Sequence, residues 1–164
     1  TLCPVTGLPR RELLFRLGAR EFDLARRDGK PLCLLHLDLD NFSQINLRWG
    51  HKAGDQVLID FCHLCDSYLG QDDLFVRLYD EAFGLLFVNR KAEEVMAIGE
   101  ELRHAVKRML GVFTGSGYQL HLSGGLTGLS ESDRDFTDLF TRSDRALFVA
   151  KANGRDQISL LLLG

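Results

Sequence analysis

No stretch of this sequence is apolar enough to cross a bilayer. Runs such as Leu160–Leu163 fall far short of the roughly 20 residues a spanning helix needs, and no signal-peptide pattern opens the chain. Neither sign of charge is in excess: a net charge of −3 leaves no basic stripe for nucleic acid and no acidic tail. Internal repeats and low-complexity stretches are missing as well. These absences leave an ordinary globule. At 164 residues and 45% apolar, it is long enough to bury a real core in one domain.

A second pair of metal-ligand cysteines is also lacking. Cys62-His63-Leu64-Cys65 has the spacing of a redox or zinc pair, yet it falls inside the apolar periodicity Val57, Leu58, Phe61, Leu64, Tyr68. Redox pairs normally sit at a helix start, and a zinc site needs further ligands. Cys3, Cys33, Cys62 and Cys65 are therefore expected to be buried structural thiols, in a reducing cytoplasmic compartment.

What is present has a clear order. Pro9 to Arg27 carries an apolar stripe of helical spacing that Asp28-Gly29 ends. Pro31 then introduces "LCLLHLDLD", a run suited to a strand covered on both faces. Asn41 is placed to cap a short helix, and a turn across Gly50–Gly54 leads to a long helix over 53–69. "DDLFVRLYD" and "AFGLLFVN" predict a tight hairpin. A helix over 92–110, a strand in "YQLHLSGGLTGL", a helix over 134–152 stopped by Asn153-Gly154, and a strand in "QISLLLL" complete the chain. The fold expected is α+β with a β-α-β-β-α-β core, the ferredoxin-like arrangement of an antiparallel-rich sheet flanked by helices.

Carboxylates mark the place where chemistry is possible. Asp38 and Asp40 stand two apart at the end of a buried strand, so both leave the same face. Asp80 and Glu81 fall in the crease of the hairpin, which brings them beside Asp38 if the strands are neighbours. Such a cluster, with main-chain oxygens, is a plausible Mg2+ site for phosphoryl or nucleotidyl transfer. The simpler reading is that these acids cap a helix and form a turn. His51 reads as a helix-start residue, His36 as packed or hydrogen-bonded, and Arg10-Arg11 and Arg26-Arg27 as a solvated face.

"VTGLP" with Arg11, "LDLDNF", "IN" with "GHKAGD", "RL…F", "SGG" and "SDRALFVAKANGRD" fall in order from Thr1 to about Ile158. This ordered set resembles the GGDEF domain of diguanylate cyclases, which condense two GTP into cyclic di-GMP. The resemblance implies the nucleotidyl-cyclase and polymerase-palm type of fold. It implies that Asp38, the carbonyl of Leu39 and Glu81 bind Mg2+. Asn46 and Asp55 become the readers of the guanine edge, whose donors and acceptors suit an amide and a carboxylate. Lys151 and Arg155 become the phosphate-holding pair. Phe42 joins the nucleotide-binding set, although an aromatic there reads by itself as core or a loop lid, as does Trp49.

The signature of that family is broken here. Gly-Gly-Asp-Glu-Phe becomes Tyr79-Asp80-Glu81-Ala82-Phe83. Glu81 is the one signature acid retained, and Ala82 stands at the acid the resemblance makes catalytically required. A methyl group neither coordinates a metal nor takes a proton. A one-place slip of the acids turns them to the wrong faces unless a bulge re-aims them. Tyr79 and Asp80 add bulk and charge where glycines let backbone approach a triphosphate. Ser43, Leu47 and Arg10 also depart from the family's usual residues. At the inhibitory motif Asp73 is kept, but Gly70 stands where the arginine is expected, so cyclic di-GMP is not expected to be held there.

The expectation is a catalytically silent GGDEF-like domain, residues 1–164, working as a GTP-binding or protein-interaction module. It would belong to a larger cytoplasmic or membrane-attached signalling protein with sensor or EAL-type phosphodiesterase domains beside it. Two alternatives stand beside it. One is an active cyclase, using Glu81 and a bulged Asp80, in which two domains meet as a homodimer across two GTP. The other is a protein-binding domain with no nucleotide.

Overall fold

The computed structural model describes residues 1–163. Its elements, in chain order, are α1 (Arg11–Asp28), β1 (Leu32–Leu39), α2 (Phe42–Trp49), α3 (His51–Asp66), β2 (Leu74–Tyr79), β3 (Ala82–Val88), α4 (Ala92–Lys107), β4 (Leu122–Gly128), α5 (Phe136–Ala152) and β5 (Ile158–Leu160). A single 3-10 turn, Gly111–Phe113, lies between α4 and β4. The five strands form one sheet in the order β2-β3-β1-β4-β5, antiparallel except for the β4–β5 pair. The expected β-α-β-β-α-β core is present, with β5 added at one edge. No helix is long and apolar enough to cross a membrane among the described residues.

β1 is central, and all eight of its residues are buried, which explains its nearly unbroken apolar run. Alternation along it divides the core. Cys33, Leu35, Leu37 and Leu39 join Phe61, Phe83 and Leu102 under α2, α3 and α4. Leu32 and Leu34 join Leu14, Phe22 and Phe136 under α1 and α5. Asp38 leaves the α1/α5 face, as its parity with Leu34 requires. All four cysteines are free and buried; burial pushes the thiols of Cys33 and Cys62 up to about 12.

Several local expectations give way to tertiary geometry. α3 begins at His51, so Gly54 lies inside the helix rather than in a turn. β5 spans three residues, far less than "QISLLLL", because only Gly124–Leu126 of β4 offers it partners. Asn41 adopts φ 56° and makes no side-chain cap bond to α2. Arg26 is not on a merely solvated face: its guanidinium donates to the carbonyls of Asp133 and Glu131.

Gly125 shows how closely α5 lies on the sheet. A Cβ there would fall 2.2 Å from the Leu147 amide nitrogen and 2.2 Å from the Ser143 carbonyl oxygen, both backbone atoms of α5. Gly125→Ala is therefore expected to lift the helix and cost about 3 kcal/mol, the upper range for overpacking. The midpoint of chemical denaturation measures this, and an unchanged midpoint would contradict the close approach.

Candidate functional site

β1 ends at the edge of the α1/α5 layer, where the β2–β3 turn and the exit of α5 come together. Asp38, Leu39, Phe42, Glu81, Lys151 and Arg155 line one cleft of about 190 Å³ there. Asp40, Asn41 and Ser43, around the start of α2, complete its lining. The first amides of a helix have no intrahelical partner, so this corner suits an anion.

The two acids of the β1 end have different fates. Asp38 Oδ2 receives Lys151 Nζ at 2.5 Å, and burial raises its pKa even against that hydrogen bond. Asp40 is consumed by structure: it accepts from Ser123 Oγ at 2.7 Å and from the Asp156 amide at 3.1 Å. Those bonds fasten the α5–β5 connection, and so the loop carrying Arg155, to the sheet.

The two acids of the hairpin also part company. Arg77 pairs with Phe83 and Tyr79 with Ala82, so Leu78 is an extra residue in β2. This bulge and the left-handed turn at Asp80 (φ 37°) decide where the side chains go. Glu81 lines the cleft, its carbonyl accepting from the Leu39 amide at 3.1 Å. Burial and the neighbouring charge of Asp38 raise its pKa. Asp80 instead lines a separate cleft with Cys3, Arg10 and Arg11, and its carbonyl receives Arg77 Nε at 2.7 Å. The expectation that both hairpin acids lie beside Asp38 is thus half right. Ala82 stands directly opposite Asp38 in the strand register and is fully buried, so the position across the strands from that acid carries a methyl group.

Asp38, Leu39 and Glu81 bring oxygen atoms that a divalent cation could use to the lining of one cleft. No cluster of three or more acidic, histidine or cysteine side chains able to hold a metal occurs among the described residues. Two carboxylates and a carbonyl fall short of an octahedron, and phosphate oxygens and water must supply the rest.

Asn46 and Asp55 lie beyond this cleft. Asn46 follows Phe42 by one turn of α2 and rests its amide on Gly54, the residue before Asp55. Asp55 is exposed and Asn46 half-buried. Phe42, 8% exposed, belongs to the core and also lines the cleft. Trp49 packs edge-on against Phe113 and Tyr118.

At the inhibitory motif, Asp73 is fully engaged. It accepts from the amides of Gly70 (2.7 Å) and Val88 (2.9 Å) and pairs with Arg90 Nη2 at 3.2 Å. A Cβ on Gly70 would meet Arg90 Nη2 at 2.8 Å, so this arginine fills the space beside the glycine. Sequence spacing missed Arg90, which lies seventeen residues from its partner along the chain. His36 is packed against Phe140, with neither ring nitrogen hydrogen-bonded. Asp144 stands 3.6 Å away, and burial pushes the imidazole down to about 4.

Comparison with known proteins bears on the chain as a whole. The family model described as "Diguanylate cyclase, GGDEF domain" matches residues 3–157. The diguanylate cyclase DgcP of Pseudomonas aeruginosa is 34% identical over 157 residues, covering 96% of this chain and 23% of that protein. A diguanylate cyclase of Vibrio cholerae is 31% identical over 153 residues, covering 93% and 47%. The chain thus spans less than half the length of these relatives. Among solved structures, the active GGEEF domain of a Vibrio cholerae diguanylate cyclase superposes with a TM-score of 0.89 at 29% identity, covering 96% of this chain and 99% of that one. The diguanylate cyclase SiaD of Pseudomonas aeruginosa, solved with its activator SiaC, gives 0.87 at 32% identity, covering 98% and 61%.

Proposed function

The chain belongs to the GGDEF diguanylate cyclase domain family, and from that premise we propose that it is a member that binds GTP with Mg2+ but does not condense it. It serves cyclic di-GMP signalling as a regulatory module of a longer protein. One observation carries this reading. Glu81 faces the cleft with Asp38, but the residue paired with Asp38 across the strands is Ala82. One acid of the signature is available for a metal and the other is absent.

When bound, the metal would neutralise phosphate charge and be held by Asp38, Glu81 and the Leu39 carbonyl. Lys151 would exchange Asp38 for phosphate oxygens, and Arg155, which makes no ion pair among the described residues, would hold a second phosphate. Asn46 and Asp55 would read the guanine edge. Tyr79, 49% exposed, stands on the hairpin beside the adjoining cleft that Lys151 and Arg155 also line, where the family has a glycine.

Calorimetry with GTP and Mg2+ tests this directly: micromolar binding without cyclic di-GMP in the product mixture is expected. Robust synthesis would overturn the silent reading. A melting temperature unmoved by millimolar GTP and Mg2+ would overturn the nucleotide-binding reading, since a ligand of the native state must stabilise it.

Gly54 offers a sharper test of the guanine pocket. A Cβ there would lie 1.9 Å from Asn46 Oδ1. Gly54→Ala favours the helix intrinsically by about 1 kcal/mol but drives Asn46 out of place. GTP affinity is expected to fall roughly tenfold, about 1.4 kcal/mol, without loss of melting temperature. Unchanged affinity by calorimetry would remove Asn46 from the pocket.

A further inference from the structure

A second cleft, of about 420 Å³, lies between the signature hairpin and α5 and adjoins the carboxylate site, with which it shares Lys151 and Arg155. Its walls are two exposed aromatic rings, Tyr79 on the hairpin and Phe148 on α5, 49% and 61% exposed. Large exposed aromatics that line a concave surface are uncommon on a surface that packing alone has shaped.

The charges along this cleft are polarised. Asp144, Phe148 and Lys151 follow one another at spacings of four and three, so they share a face of α5. Asp144 stands at one end, with a side chain 60% exposed. Lys151 and Arg155 stand at the other. From Asp144 to Lys151 the helix rises roughly 10 Å, a span that a mononucleotide covers from base to phosphate. A ligand complementary to such a cleft has a flat ring in the middle, hydrogen-bond donors at one end and an anion at the other. A fatty acid lacks the ring and the donors, and a free phosphate uses neither aromatic.

We infer that the cleft between Tyr79 and Phe148 binds a purine nucleoside monophosphate, its base against the two rings, its exocyclic amine toward Asp144 and its phosphate on Lys151 and Arg155. The phosphate must take Lys151 from Asp38, whose carboxylate Lys151 holds at 2.5 Å, and no metal is invoked. This binding does not rest on the reading of the GTP site. The two clefts share only Lys151, Arg155 and the hairpin, so nucleotide in one site competes with phosphate in the other.

Tyr79 is the residue that makes the difference. In a Gly-Gly turn this wall of the cleft would be missing. Burial, with the neighbouring charges of Asp38, Asp144 and Glu81, raises the Tyr79 phenol's pKa.

The probe is GMP in excess EDTA, added to the chain and followed by calorimetry and by backbone amide NMR. Saturable binding is expected, with shifts concentrated at Tyr79, Phe148 and Lys151. Stacking is worth about 1–3 kcal/mol per base, so Phe148→Ala and Tyr79→Gly should each weaken binding roughly tenfold. AMP should bind comparably, and ribose 5-phosphate should not. Both side chains are exposed, so neither variant threatens folding. No saturable heat at millimolar GMP would overturn the proposal. Shifts confined to Asn46 and Asp55 would overturn it too, since they would place the nucleotide in the guanine pocket. Failure of GTP and Mg2+ to bind while GMP binds in EDTA would sink the first site and leave this one standing.

Discussion

The triple variant Tyr79→Gly, Asp80→Gly, Ala82→Glu is expected to raise cyclic di-GMP synthesis over that of the natural chain by on the order of 10²–10³-fold. That is the usual worth of one preorganised group that stabilises charge in a transition state. The register supplies the reason. Residue 82 lies across from Asp38 and on the same face, so a carboxylate there points toward the cleft that already holds Asp38 and Glu81. Asp80 has φ 37°, which glycine adopts without strain, and Tyr79→Gly removes the bulk of a ring from the same turn.

Stability should move the other way. Ala82 is fully buried within the α1/α5 core, and an ionised glutamate there is costly until something pairs with it. The variant alone should melt lower than the parent, and GTP with Mg2+ should restore much of the loss. Product is measured chromatographically at several protein concentrations. Synthesis requires two domains to meet, so its rate should rise more steeply than linearly. Two outcomes would remove Ala82 from the account: activity already high in the natural chain, or a variant that recovers its melting temperature with GTP yet makes no product.

Replacing Asp133 by alanine is expected to cost about 3–5 kcal/mol of stability, the usual penalty for stranding one member of a buried ion pair. Arg142 Nη1 meets Asp133 Oδ1 at 2.7 Å and Nη2 meets Oδ2 at 2.7 Å, with side chains 5% and 1% exposed. The same guanidinium donates from Nε to Thr127 Oγ1 at 2.6 Å and from Nη2 to the Gly128 carbonyl at 2.9 Å. This network fastens α5 to β4, and α5 carries Lys151 to the cleft. For a chain of this size each kcal/mol moves the melting temperature by roughly 2–4 °C, so a fall of roughly 10 °C is expected. Arg142→Met in the Asp133→Ala background should cost less than the two separate losses summed, because no charge is then left alone. A loss below 1 kcal/mol would show that solvent reaches the pair.

The pH dependence of that difference has a definite sign. Burial opposes ionisation of Asp133, but the Arg142 hydrogen bonds, the Ser130 amide and the guanidinium charge outweigh it, and its pKa lies below the ordinary 3.8. A depressed acid stabilises the fold above its unfolded value and loses that contribution as pH falls toward its folded one. The gap between natural chain and variant should therefore hold at neutral pH and close below about pH 3.8.

The kind and order of the elements were legible along the chain, because periodicity and turn residues are local signals. The sequence showed that Asp38 leaves a buried strand end, through simple alternation in "LCLLHLDLD". It also placed Lys151 and Arg155 at the exit of the last helix, and it located the break in the signature at Ala82. What it could not separate were residues of like type close together in the chain. Asp38 and Asp40 share a face, yet Ser123 and the Asp156 amide, distant in sequence, claim only the second. Asp80 and Glu81 are neighbours, yet a bulge at Leu78 and a left-handed turn send them to different clefts. Arg90 beside Gly70, Arg142 on Asp133, and Tyr79 and Phe148 in one cleft are likewise placements that strand register and helix docking create. Local patterns fix which side chains exist and which face they leave; long-range contacts fix which of them are consumed by structure and which remain free to meet a ligand.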